Sequence, residues 1–171
     1  MASASSIAAL EANAAAIAAL ARAMPSDQVR WRPSPGAWST LEVVNHLGDE
    51  EREDFRTRLD TILHRPGEMP PAIDPEGWVV TRGYNQRDFE ESLTRFLDER
   101  RQSLAWLRSL SAPDWSRAWA HPSGDFTIRA GDVLTAWAAH DLLHLRQLVE
   151  LQYGRRAIDA APYDMEYAGE W

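Results

Sequence analysis

The stretch Trp137-Ala-Ala-His140-Asp-Leu-Leu-His144-Leu-Arg-Gln147-Leu148 constrains the fold more than any other part of the chain, because it sets two histidines four apart inside a strongly helical apolar run. Four residues is just over one helical turn, so both imidazoles leave the same face, about 40° apart around the axis. Val133, Ala136, Trp137, Gln147, Leu148 and Leu151 share that face, which is the side a helical bundle would bury. Neutral imidazole is the commonest protein metal ligand, and one rigid helix can hold two coordination positions this way. The ordinary alternative is a pair of core histidines bonded to polar groups or to each other. That arrangement needs partners for both rings, and each group left unpaired costs about 1–3 kcal/mol.

A third ligand is then needed, and His46, His64, His121, Glu50 and Asp141 compete for the place. Asp141 points about 100° away from His140, which suits a residue behind the ligands or on the surface better than a ligand. His64 and His121 fall in proline-rich loops, farther from the centre of a bundle. His46 lies on a helix at the border of its apolar stripe, and Glu50, one turn later, points the same way.

The rest of the chain supplies the other helices. Ile7, Leu10, Ala14, Ile17 and Leu20 recur at helical spacing, with Ser6 as the expected cap and Pro25 as the stop. Ser39 followed by Glu42 has capping-box spacing and opens a helix to about Leu63, with Leu41, Val44, Phe55, Leu59 and Ile62 as its stripe. A proline- and glycine-rich stretch from His64 to about Gly83 reads as a long loop that packs back through Ile73, Trp78, Val79 and Val80. A third helix is expected from about Asn85 to Leu110, then an aromatic loop holding Trp115, Trp119 and Phe126. The fourth helix runs from about Ala130 to Tyr153 with Gly154 as its terminating glycine. The pattern predicts an all-α fold: a four-helix bundle with long loops after the second and third helices and no strands. All 171 residues form a single domain with a core of about 6–154 and a C-terminal tail of 155–171.

Composition excludes several functions. The net charge is −8, so nucleic acid and anionic membrane surfaces are poor partners. All 18 basic residues are arginine, which codon bias explains better than phosphate recognition, because they are scattered. With no cysteine there is no thiolate ligand and no thiol nucleophile, so any ligands are N or O donors. The N-terminus lacks a basic region, and its alanine-rich segment carries Glu11, Asn13 and Arg22, which reads as neither signal peptide nor membrane span and suggests a cytoplasmic protein. Of the eight tryptophans, Trp38, Trp78 and Trp137 are the candidates to line a substrate pocket, against ordinary bundle packing.

Two motifs and a loop in this order resemble the DinB-like, YfiT-type superfamily of four-helix metal-binding proteins. They are Trp31-Arg-Pro-Ser-Pro-Gly36-Ala-Trp38-Ser39 leading into Val43-Val-Asn-His46-Leu47, the loop Pro70-Pro-Ala-Ile-Asp-Pro-Glu-Gly-Trp78, and His140-Asp141-Leu-Leu-His144-Leu-Arg-Gln147-Leu148. The resemblance spans about Ala8 to Gly154. It implies that His46, His140 and His144 form a three-histidine site for a divalent metal such as Zn, Ni or Fe, with water in the remaining positions. It also implies metal-dependent chemistry on small molecules: thiol S-transfer with a bacillithiol- or mycothiol-like cosubstrate, or hydrolysis, in a homodimer. Some isomerase-like relatives have a glutamate where this chain has His140, which argues against their reaction here. Glu50 and Asp141 are the residues expected to assist from behind the ligands or in catalysis, and Arg82, Arg87 or Arg146 to bind a thiol's carboxylates. The rival is a non-catalytic metal-binding, stress-response or interaction module.

Overall fold

In the computed structural model, which describes residues 2–171, four long helices pack side by side. The first, α1, is Ala2–Ala23; the second runs as α2 (Thr40–Asp49), a π-helical turn (Glu50–Phe55) and α3 (Arg56–His64). A short α4 (Pro75–Thr81) and a 3₁₀ turn (Tyr84–Gln86) lead into α5 (Phe89–Ser109). A hairpin of β1 (Ala118–Ala120) and β2 (Thr127–Arg129) precedes α6 (Ala130–Asp159), and a 3₁₀ turn (Glu166–Ala168) lies in the tail. α1 packs on α6 and α5, and α2 packs on α5.

Local chemistry explains most boundaries. The Ser39–Glu42 capping box is present: the Ser39 hydroxyl accepts from the Glu42 amide at 3.2 Å and the Glu42 carboxylate accepts from the Ser39 amide at 2.8 Å. Arg32 pairs with the same carboxylate, so Glu42 is fully buried yet satisfied. Asp74 caps α4 through a bond from the Gly77 amide at 3.0 Å, and Pro75 occupies the first turn, where no amide hydrogen is needed.

The structure corrects five expectations. Ser6 lies inside α1 rather than capping it, since the alanine-rich run sustains helix from Ala2. The second helix contains a π turn. The loop after it contains α4, which packs back through Val79 while Val80 is exposed. The aromatic loop contains a hairpin that pairs Trp119 with Ile128; three-residue strands are too short to leave a readable alternation. Finally, α6 continues through Gly154 to Asp159. That glycine does not end the helix but makes room for Trp31, whose indole would lie 3.4 Å from a Cβ there.

Two apolar cores form. One gathers Ile17, Ala21, Val43, Leu47, Phe96, Leu148 and Leu151; the other gathers Leu10, Leu59, Ile62, Leu104, Leu107, Leu134 and Trp137. Along α2–α3, α5 and α6 the residues between the two cores form a polar layer in mid-bundle, where His46, Glu50, Glu51, Arg100, Asp141 and His144 are buried. The segment Ser3–Ala23 is long and apolar enough to cross a membrane by length and composition, yet Leu10, Ala14, Ile17, Ala18 and Ala21 on it are buried in these cores.

Candidate metal centre

His46 comes from the last turn of α2, His140 and His144 from successive turns of α6, and their rings meet at one side of the polar layer. The Nε2 atoms of His46 and His140 are 3.3 Å apart and those of His140 and His144 3.1 Å apart. His46 is buried to 3% exposure, so its position at the stripe's border on a helical wheel understates its burial. The indole of Trp38 lies over the group, parallel to the His144 ring at 6.3 Å and 4.8 Å from the His46 ring. From beneath, Phe55 sits 5.1 Å from His140 and stacks on Trp137 at 5.5 Å.

Burial keeps all three rings neutral. It pushes the His46 imidazolium down to about 2, helped by the charges His144 and His140 would carry, and His140 down to about 3, helped by His144 and Arg100. His144 is also lowered, by burial first. Neutral imidazole is the form that binds a metal.

The donor set fits a cation better than it fits itself. His144 Nδ1 faces the Gln147 carbonyl oxygen at 2.8 Å and therefore carries the hydrogen, which leaves the His144 Nε2 lone pair aimed at His140. Hydrogen bonds among three crowded Nε2 atoms cannot serve every lone pair, and His46 Nδ1 has no partner at all. With metal–nitrogen bonds of about 2.0–2.1 Å, ligands at 90–109° around one ion lie about 2.8–3.4 Å apart. The observed 3.1 and 3.3 Å fall in that range.

The three rings open onto a cleft of about 660 Å³ lined also by Trp38, Ile73, Asp74, Glu76, Arg146 and Glu150. A second cavity of about 480 Å³ adjoins it across Trp38, His144, Gln147 and Glu150, and is lined further by Pro33, Gly36, Ala37 and Leu151. The other sequence candidates lie elsewhere. Trp78 lies under the Arg82 guanidinium at 4.0 Å, and Trp137 is buried; neither lines the cleft. Glu50 is buried without lining it, and one carboxylate oxygen has no partner. Asp141 is fully buried and faces Arg100. His64 bonds Asp60 and His121 bonds Ser123, both outside the group. Of the three arginines, Arg82 is engaged by Asp49 and Glu53, and Arg87 by Asn45; only Arg146 reaches the cleft, beside Glu150 at 3.4 Å. Gln147, Arg100 and Glu51 are the polar residues with structural roles here for which the sequence analysis assigned none.

A family model of the DinB superfamily matches residues 9–148. The chain belongs to the DinB superfamily. Among curated proteins it is similar to YfiT of Bacillus subtilis strain 168, for which a metal-dependent hydrolase activity has been put forward, at 25% identity over 117 residues. That match covers 68% of this chain and 65% of YfiT, just under two thirds of the relative's length. The solved structure of YfiT, described as a four-helix bundle of unusual topology, superposes with a TM-score of 0.77 over 88% of this chain and 86% of its own, at 22% identity. At that identity the likeness establishes the fold, which is the four-helix bundle the sequence predicts.

Proposed function

We propose that this DinB-superfamily protein is a metal-dependent hydrolase in which His46, His140 and His144 hold one divalent cation on the floor of the cleft. The observation that carries the reading is the convergence of three neutral imidazoles whose ligand atoms lie within 4.8 Å of one another, two Nε2 pairs of them at the spacing of ligands around one ion, open to a cleft large enough for a small molecule. YfiT's suggested activity supports it. Three histidines with open positions are the stoichiometry of a catalytic site, and a cation so held acidifies bound water and polarises a carbonyl or phosphoryl oxygen.

The chain's own residues do the remainder. Gln147 fixes the His144 ring by accepting its Nδ1 hydrogen. Trp38 walls the site and lines both cavities, which give a substrate two places for the groups flanking the bond that breaks. Asp74, Glu76, Glu150 and Arg146 supply the cleft's charged contacts. A second reading is S-transfer from a low-molecular-weight thiol. It is supported by the paired cavities, which suit two reactants; as the chain has no cysteine, the thiol would arrive as cosubstrate. The carboxylate-bearing thiols find one arginine in the cleft.

Elemental analysis of the purified protein, then ester, amide and phosphoester hydrolysis and bimane conjugation with bacillithiol, mycothiol or glutathione, tests both. The expected result is one divalent metal per chain and turnover abolished by chelator and by His140→Ala. Metal content equal in wild type and His140→Ala overturns the site, and metal without turnover in any assay favours a non-catalytic module. We further propose a cytoplasmic homodimer acting on small molecules, with neither nucleic acid nor membrane as partner; sedimentation and fractionation check it.

A further inference from the structure

Behind the histidines, on the far side from the cleft, the polar layer contains an arginine that makes four hydrogen bonds and two ion pairs. Arg100 is 1% exposed on the inward stripe of α5, between Phe96 and Leu104. Its Nε donates to Glu51 Oε1 at 2.8 Å, Nη1 to the Leu10 carbonyl at 2.7 Å and to Asp141 Oδ2 at 2.8 Å, and Nη2 to Asp141 Oδ1 at 2.7 Å while lying 2.6 Å from Glu51 Oε1. Trp137 Nε1 donates to the same Glu51 oxygen at 2.8 Å. One guanidinium thereby ties α1, the π turn and α6 to α5.

Two of its partners sit beside the ligands. Asp141 follows His140 directly, and Trp137 precedes it by one turn; Glu51 is in the π turn that continues the helix of His46. We propose that Arg100 is a positioning residue for the three-histidine site, fixing the rotation and height of α6 against the π turn so that the three Nε2 atoms converge. The inference rests on the metal reading above.

The magnitudes favour orientation over stability. Replacing a buried ion cluster by well-packed apolar residues is often neutral or stabilising, so adhesion does not explain this one. Geometry does. Side chains reach about 5–6 Å from a helix axis, so a 10° rotation of α6 moves a ring nitrogen by about 1 Å. Ligand distances tolerate only about 0.2 Å. Apolar packing around Leu134 and Leu148 is non-directional, whereas a bidentate guanidinium–carboxylate fork admits one orientation.

The test uses metal-free full-length protein and Zn²⁺ alone, with affinity from competition against a chromophoric chelator, the d–d spectrum of the Co²⁺ form, and melting of the metal-free state. Arg100→Met and Asp141→Asn are expected to weaken Zn²⁺ binding by about 10–100-fold, the range for residues that orient ligands, and to alter the Co²⁺ spectrum. Arg100→Lys, which keeps the charge and loses the fork, does not restore either. Trp137→Phe removes one bond to Glu51 at the cost of a small void, so it weakens binding a few-fold with a modestly lowered melting temperature. Folded variants with wild-type affinity and spectrum overturn the positioning role. Should the Arg100 and Asp141 variants fail to fold, wild-type binding by Trp137→Phe overturns it alone. A wild type that binds no Zn²⁺ removes the metal site itself, an outcome distinct from intact binding in every variant.

Discussion

Glu50 is held as a neutral acid across much of the physiological range: burial, with the Asp54 carboxylate near it, pushes its carboxyl up to about 8 from the usual 4.5. One of its oxygens has no partner. The folded state therefore holds a proton that the unfolded chain releases above about pH 4.5, and the stability this confers is complete at low pH and lost as pH rises toward 8. Glu50→Gln removes that dependence. Urea unfolding of metal-free protein at pH 5 and pH 8.5 is expected to show the variant gaining on wild type by about 4 kcal/mol more at the higher pH than at the lower, at about 1.4 kcal/mol per pH unit between the two pKa values. Equal pH profiles would count against the buried, neutral state. At this scale His140 and His144 were legible, since a fixed i, i+4 spacing on one helix needs no tertiary knowledge. Arg100 was also written in the sequence, as an arginine at a position where Phe96 and Leu104 demand an apolar residue; which carboxylates answer it was not.

Among the elements, the π turn at Glu50–Phe55 decides what the second long helix presents. It lets His46 face the site while Phe55 lies under His140 and Glu51 turns to Arg100. Deleting the exposed Arg52 would close the turn into an ordinary helix and, because a π turn absorbs one extra residue, leave α3 nearly in phase with α2 while re-aiming Glu50 and Glu51. Metal binding is expected to weaken, as Glu51 leaves Arg100, and the melting temperature to fall, measured by metal content and calorimetry, although the deleted side chain itself pairs with Asp49, Glu53 and Glu99 alone among the described residues. A milder change at the other end of the helix separates local from global effects. Ser39→Ala removes a capping bond worth about 1 kcal/mol, which lowers the melting temperature of a domain this size by about 2–4 °C with metal content unchanged. The capping box was readable because it is a contact between residues three apart. The π turn was not, because its six residues carry the same acidic, helix-compatible composition as a plain turn.

For the whole molecule, the buried neutral histidines set acid stability. Unfolding lets His46 and His140 take up protons below about pH 6.5, while the folded protein refuses them until about pH 2 and 3. Metal-free protein is therefore expected to lose about 1.4 kcal/mol per pH unit for each of the two as pH falls below 6.5, seen as a falling urea midpoint. Because Glu50 acts in the opposite direction over this window, the test is made in the Glu50→Gln background, where a midpoint constant from pH 7 to 4.5 would show that the rings are not buried as described. The polar layer between two apolar cores places this sensitivity at the centre of the bundle, where opening it requires separating α6 from its neighbours.

The sequence by itself determined the four helices, the capping box and the α6 histidine pair, because each follows from spacing within one segment. It narrowed the third ligand to five residues and, through family resemblance, to His46. Only the tertiary structure decided that His46 Nε2 lies 3.3 Å from His140 Nε2. Only it showed that Trp38 rather than Trp78 or Trp137 borders the cleft, and that Asp141 turns away from the site to Arg100. These depend on the relative rotation of helices far apart in the chain, which neither propensity nor period encodes and which packing and buried charge fix together.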